Sequence, residues 1–211
     1  MLASPASVKQ AAEHLRAHDL VLAPVIDRFG LCTIRPNRNY YQELVDSIIS
    51  QQLSVKAART IERRFCALFG SSEFPSAEQI LTKQIDELRT AGLSRGKAAY
   101  VRDLAQHVVD GRVRFDHLDG LSNDAVIREL TAVKGIGEWT AHMFLMFCMG
   151  RLDILAVGDL GIRNGVQKLY DLDHSPTPVD ITGLAERNHW HPYETVACWY
   201  IWRSLDNAPA V

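Results

Sequence analysis

The chain has no excess of positive charge: 23 Lys and Arg stand against 25 Asp and Glu, for a formal net charge of -2. Proteins that bind by neutralising many phosphates are usually basic, so global charge gives no sign of nucleic-acid binding. Binding through the backbone N–H groups of helix starts, which needs no side-chain charge, stays open. Cysteine is sparse and dispersed. Cys32, Cys66, Cys148 and Cys198 contain no CxxC pair and no closely spaced ligand set, which excludes a zinc or iron–sulfur motif and leaves buried free thiols as the expectation. Long apolar runs are missing too. The longest, residues 143–149, is far too short to cross a bilayer, and residues 1–10 lack the basic segment and apolar core of a secretory leader. No membrane association and a reducing compartment are expected. Sustained two-residue alternation is absent, so strands are not expected, and neither internal repeats nor low-complexity segments occur.

What is present is an ordinary globular composition, 47% hydrophobic and 23% charged, in 211 residues, enough for one large domain or two small lobes. The pattern predicts helices over residues 7–18, 20–29, 41–51, 55–69, 77–82, 86–91, 95–109, 124–131 and 138–149, with a closing helix from Pro192. Ser54, Ser94 and Ser122 stand at cap positions, and Thr177-Pro178-Val179-Asp180 combines a cap, a first-turn proline and an acid three residues on. The expected fold is all-α, with two helical lobes and a cleft between them. Residues 1–39 with 160–211 would form one lobe and 40–159 the other. Two local basic clusters stand out, Arg95 with Lys97 and Arg102, and Lys134 with Arg151, Arg163 and Lys168.

Val133-Lys134-Gly135-Ile136-Gly137 lies between two predicted amphipathic helices. Two glycines one residue apart allow a tight reversal in which backbone approaches a ligand closely, and the next helix start offers N–H donors and a positive dipole end to a phosphate. A plain helix–helix turn is the alternative. Ile136 can anchor the turn, and small Thr140 and Ala141 permit close packing behind it.

Five segments in order carry a resemblance to a known family: residues 49–58 (ISQQLSVKAA), residues 92–97 (GLSRGK), the hairpin, Val157-Gly158-Asp159-Leu160-Gly161, and Trp190-His191-Pro192-Tyr193 leading to Trp202. Together they resemble the helix-hairpin-helix DNA glycosylases, in particular the DNA-3-methyladenine glycosylase II group, from about Leu20 onward. The β-rich N-terminal domain of longer members is not expected here. The resemblance implies that the hairpin, with Thr140, grips double-stranded DNA carrying damaged bases. It implies that the carbonyls of Thr131, Val133 and Ile136 hold a monovalent cation, while no side-chain metal site and no required cofactor are expected. His189, His191 and Glu194 lack metal-ligand spacing and read as surface residues.

The resemblance makes Asp159 the catalytic carboxylate; capping its own helix is the plain alternative, and the two roles are compatible. Trp139 falls where relatives that also cut the backbone carry a nucleophilic lysine. A tryptophan forms no Schiff base, so a monofunctional enzyme is implied. Trp139 and Trp202 are candidate walls for an extruded base, with Met143 and Leu160 beside them where some relatives have aromatics. In residues 92–97, Leu93 or Arg95 is a candidate wedge into the duplex, Ser94 belongs to the same DNA-facing loop, and Lys97 is a candidate phosphate contact. Gln51, Gln52 and Ser54 either reach the DNA or cap neighbouring helices. The implied activity is excision of alkylated purines such as 3-methyladenine and 7-methylguanine by a monomer, in the cytoplasm of a bacterium or the nucleus of a eukaryote. A glycosylase/lyase for oxidised bases and a noncatalytic DNA-binding module are the alternatives.

Overall fold

The computed structural model describes residues 1–70 and 73–205. In chain order its α-helices are α1 (Pro5–His18), α2 (Ala23–Phe29), α3 (Tyr40–Ser50), α4 (Val55–Ala67), α5 (Ala77–Thr82), α6 (Ile85–Arg89), α7 (Arg95–Val109), α8 (Asn123–Thr131), α9 (Glu138–Met143), α10 (Leu160–Leu169), α11 (Pro178–Arg187) and α12 (Glu194–Ser204). Among the described residues no strand forms beyond an isolated bridge between Leu2 and Arg151, and no helix is long and apolar enough to cross a membrane.

The chain divides into two compact units, one of residues 1–38 with 145–211 and one of residues 39–144. The cut after Phe144 puts residues 145–159 with the chain termini rather than with the central helices. The reason is backbone pairing: Ala3 N–H donates to Gly150, Leu152 to Met1 and Asn37 to Cys148.

The caps follow the sequence. Ser54, Ser94, Ser122 and Thr177 each accept from the backbone N–H three residues on, and Thr177 and Asp180 complete a capping box. Ends shift where polar side chains intervene. Helix α1 starts earlier than expected because Ser4 and Ser7 form a reciprocal box, and α2 starts later because Asp19 Oδ1 takes the N–H groups of Val21 and Leu22, both at 2.9 Å. The helix expected over residues 138–149 becomes α9 followed by a π-helical turn, Phe144–Cys148. The closing helix begins at Glu194 rather than Pro192, after a cis His191–Pro192 bond.

In the terminal unit α12 is the central rod, with Thr195 through Trp202 buried all round. Asp19, 0% exposed, anchors the far side: Oδ2 accepts from Trp190 Nε1 at 2.7 Å and from the Tyr170 hydroxyl at 2.5 Å. With the two backbone donors this satisfies a carboxylate that would otherwise be very costly to bury.

In the central unit α3 and α4 form a pair. Leu44, Val45, Ile48 and Ile49 of α3 are buried, as is Phe65 of α4. Asp46 lies on this pair with Oδ1 unpartnered, and burial, then the charges of Glu62 and Glu43, push its carboxyl up to about 7. The folded chain therefore holds a proton that the unfolded chain releases near pH 4, and stability falls as pH rises from about 4 to about 7. Asp46→Asn should remove that slope and raise stability at pH 7.5 by roughly 1–2 kcal/mol. Urea unfolding of both proteins at several pH values tests this, and parallel pH dependences would refute it.

Candidate nucleic-acid interface and active site

The hairpin joins α8 to α9. Val133 and Ile136 are 1% and 3% exposed and pin the turn to the core, while Lys134 and Gly137 face solvent. The turn closes by Val133 N–H to Leu130 O and Ile136 N–H to Val133 O. Lys134 N–H is already taken by Asp103 Oδ2 at 2.9 Å. The N–H groups of Gly135 and Gly137 have no acceptor among the described residues, and these are the donors the turn can offer. Thr140, 7% exposed, packs inward from α9.

The two glycines differ in kind. Gly135 has φ +87°, and a methyl group on it would overlap the Tyr100 ring. Gly137 is the N-cap of α9 with extended backbone, and a Cβ there would meet no protein atom within 4 Å. The first glycine serves the fold. The second leaves clear the approach to a helix start, where an anion is favoured.

Gln51 faces the hairpin instead of solvent, its Nε2 donating to Gly135 O at 2.9 Å. Ser54 is occupied as the α4 cap. Between them Gln52, at φ +57°, and Leu53, 39% exposed, form the tip of the α3–α4 turn. In the 92–97 loop Leu93 is only 4% exposed, which removes it as a wedge, since insertion would require dismantling its own packing. Ser94 caps α7 and Arg95 is exposed. Sequence reasoning missed Leu53; the signal available was an apolar residue between a glutamine pair and a cap serine.

Lys97 is not a free phosphate contact. Its ammonium donates to Ile49 O at 2.7 Å and Gln51 O at 2.6 Å, closing the carbonyl end of α3. Two other members of the basic clusters are similarly engaged, while Arg95 and Lys134 face solvent: Arg102 binds the carbonyls of Leu81 and Lys83, and Arg163 binds Pro176 O and Ser175 Oγ. Arg151 is 9% exposed.

Asp159 is the N-cap of α10. Its Oδ1 accepts from Ile162 N–H and from Trp202 Nε1, each at 2.8 Å. The capping reading holds, and a second helix, α12, grips the same oxygen. Trp202, expected as a base wall, is 6% exposed, and its indole is turned edge-on to the carboxylate with Phe147 tilted over it at 5.9 Å. Gly161 permits this, because a Cβ there would lie 3.0 Å from both the indole and Oδ1. Leu160, 66% exposed, begins α10 beside the carboxylate. The adjacent thiol of Cys198 is pushed up to about 12 by burial and is inert. In the central unit Trp139 is 52% exposed and Met143 half-buried, both on α9. His191, exposed as the sequence reading of surface histidines expects, pairs at 3.0 Å with Glu194, whose side chain is only 14% exposed.

A family model described as HhH-GPD superfamily base excision DNA repair protein matches residues 45–188. DNA-3-methyladenine glycosylase 1 of Schizosaccharomyces pombe is 35% identical over 204 residues, 94% of this chain and 88% of that protein. The crystal structure of DNA-3-methyladenine glycosidase from Bacillus halodurans superposes with a TM-score of 0.83 and 39% identity, covering 95% of this chain and 89% of that one. The 3-methyladenine DNA glycosylase of S. pombe in complex with abasic DNA gives a TM-score of 0.79 and 32% identity, covering 93% and 97%.

The contrast between the glycines is testable without any ligand. Gly135→Ala should cost about 2–3 kcal/mol through strained φ and the Tyr100 overlap, and Gly137→Ala only about 0.5–1 kcal/mol, the loss of a glycine N-cap. Chemical denaturation reads both, and equal losses would contradict the assignment.

Proposed function

The chain belongs to the HhH-GPD superfamily of base excision DNA repair proteins, and from that premise we propose that it is a monofunctional DNA N-glycosylase. Its substrates are alkylated purines such as 3-methyladenine and 7-methylguanine in double-stranded DNA, and it works as a monomer. The observation that carries the chemistry is the Asp159 carboxylate, fixed by the α10 N-terminus and by Trp202.

A purine alkylated on a ring nitrogen carries a positive charge. When its bond to C1′ breaks, the electron pair goes to the base, which leaves neutral, so no acid is required to protonate it. Positive charge then develops on the sugar, and a fixed carboxylate stabilises it without reorganising. Water adds to C1′ and passes its proton to Asp159 or to solvent. One carboxylate suffices, in contrast to sugar hydrolases that must also protonate a leaving oxygen.

The remaining roles follow from chemistry and exposure. Trp139 is the exposed aromatic suited to stack on a cationic base, with Met143 as a softer apolar neighbour on the same helix, and Leu160 is an exposed apolar side chain beside Asp159. Trp202 positions Asp159. Leu53 is the exposed apolar side chain suited to fill the duplex where a base has left, in place of buried Leu93. Gly135 and Gly137 offer N–H groups to a phosphate. The carbonyls of Thr131, Val133 and Ile136 are neutral oxygens on one turn, and Val133 O keeps a lone pair beyond the one used by Ile136 N–H. They suit a monovalent cation, which would add positive charge to the turn; no step of base release passes through it.

Asp159→Asn keeps an acceptor for both N–H groups, so the cap survives while the charge is lost. Release of methylated purines should fall about 10²–10³-fold with affinity for duplex DNA retained. Leu53→Ala should slow release from duplex far more than from single strands. Wild-type release rates in Asp159→Asn would sink the mechanism, and a covalent adduct trapped by borohydride would sink the monofunctional reading.

A further inference from the structure

Of the basic residues that the sequence groups into clusters, Lys97 and Arg102 are consumed at helix ends and Arg163 by a loop, whereas a set outside those clusters is left open. Lys56, Arg59 and Arg63 project from α4 at intervals of three and four residues, so they share one face of the helix. With Val55 and Thr60 they line a groove of about 410 Å³. All three are exposed, and none forms an ion pair with a described residue. The one acidic residue of the same helix, Glu62, forms no ion pair with them, and its charge acts on Asp46 of α3. The result is an uncompensated positive strip on a chain whose net charge is -2.

Its position gives the strip a direction. It begins just past Leu53, at the tip of the turn whose Gln51 is bonded to Gly135 O of the hairpin. From Lys56 to Arg63 the helix advances roughly 10 Å at 1.5 Å per residue, about the axial length of three phosphates on one strand. Three cations with that reach, along one open helix face, suit a run of phosphodiesters better than an isolated anion.

We propose that the α4 strip is a second backbone-binding site for duplex DNA, continuing the contact from the hairpin and turn tip along one strand. The inference rests on the reading of this chain as a DNA-binding enzyme. It supplies the electrostatic component that the overall composition lacks: the hairpin holds phosphate by N–H groups, and the strip holds it by charge. Its signature is counterion release, because each phosphate neutralised by a cation contributes about 0.9 to the slope of log K against log salt.

The test is equilibrium binding of the whole protein to an undamaged duplex between about 50 and 200 mM NaCl. The variant is K56A/R59A/R63A, with thermal unfolding to verify the fold. A second variant, K9A/R16A/R28A, removes the same charge from α1 and α2. The α4 variant should lose about 2–3 from the slope and bind at least tenfold more weakly at low salt, while the control stays within about 0.5 of wild type. An unchanged slope in the α4 variant, or equal losses in both variants, would overturn the proposal. The duplex contains no damaged base, so the outcome is independent of whether Asp159 releases one.

Discussion

In the terminal unit, α10 and α12 approach without a side chain between them at two places. Gly165 lies against Ile201, where a Cβ would stand 3.2 Å from the Ile201 carbonyl oxygen, and Gly161 lies against the Trp202 indole. That closeness lets Trp202 Nε1 reach across to Asp159 at 2.8 Å. The carboxylate therefore owes its orientation to both helices. A carboxylate free to rotate would spend part of each approach to the transition state realigning, whereas one already aimed stabilises developing charge as it appears. Much else in this unit serves the same end, since α12 is buried along its length and the Asp19 cluster holds Trp190 just ahead of it.

The central unit holds its turn ready-formed in a related way. Side-chain cations are expensive to order and are readily screened, whereas the N–H groups of a rigid turn are already fixed. Gln51, Asp103 and Tyr100 act on the turn from behind, by a hydrogen bond to Gly135 O, a hydrogen bond from Lys134 N–H, and a ring that leaves room for no side chain on Gly135. Lysine and arginine in the same unit are diverted to close helix ends, as Lys97 and Arg102 show.

These diversions also explain what the sequence could and could not disclose. The caps at Ser54, Ser94, Ser122 and Thr177 are local, three-residue interactions, and local patterns display them. The hairpin turn and the Asp159 cap were legible because glycine spacing and a cap-position acid are themselves local signals. The partner of a long polar side chain is set by tertiary packing, so nothing near Lys97 or Gln51 in sequence distinguishes a ligand contact from a carbonyl cap. The burial of Leu93 and the exposure of Leu53 were hidden for the same reason: each is a leucine beside a cap serine, and only the packing of α3, α4 and α7 separates them. The π turn after α9 belongs to this class too, as its run of apolar residues carries no local break signal.

The two units are also made differently along the chain. The central unit is one uninterrupted segment, residues 39–144, while the terminal unit joins residues 1–38 to residues 145–211. Asp19 finds its indole and phenol partners only at Trp190 and Tyr170, more than 150 residues downstream. During synthesis from the N-terminus the first two helices must therefore wait, with a carboxylate and an apolar face still in water, until the last helix has left the ribosome. The central unit, a single uninterrupted segment, can close while the terminal unit is still being translated.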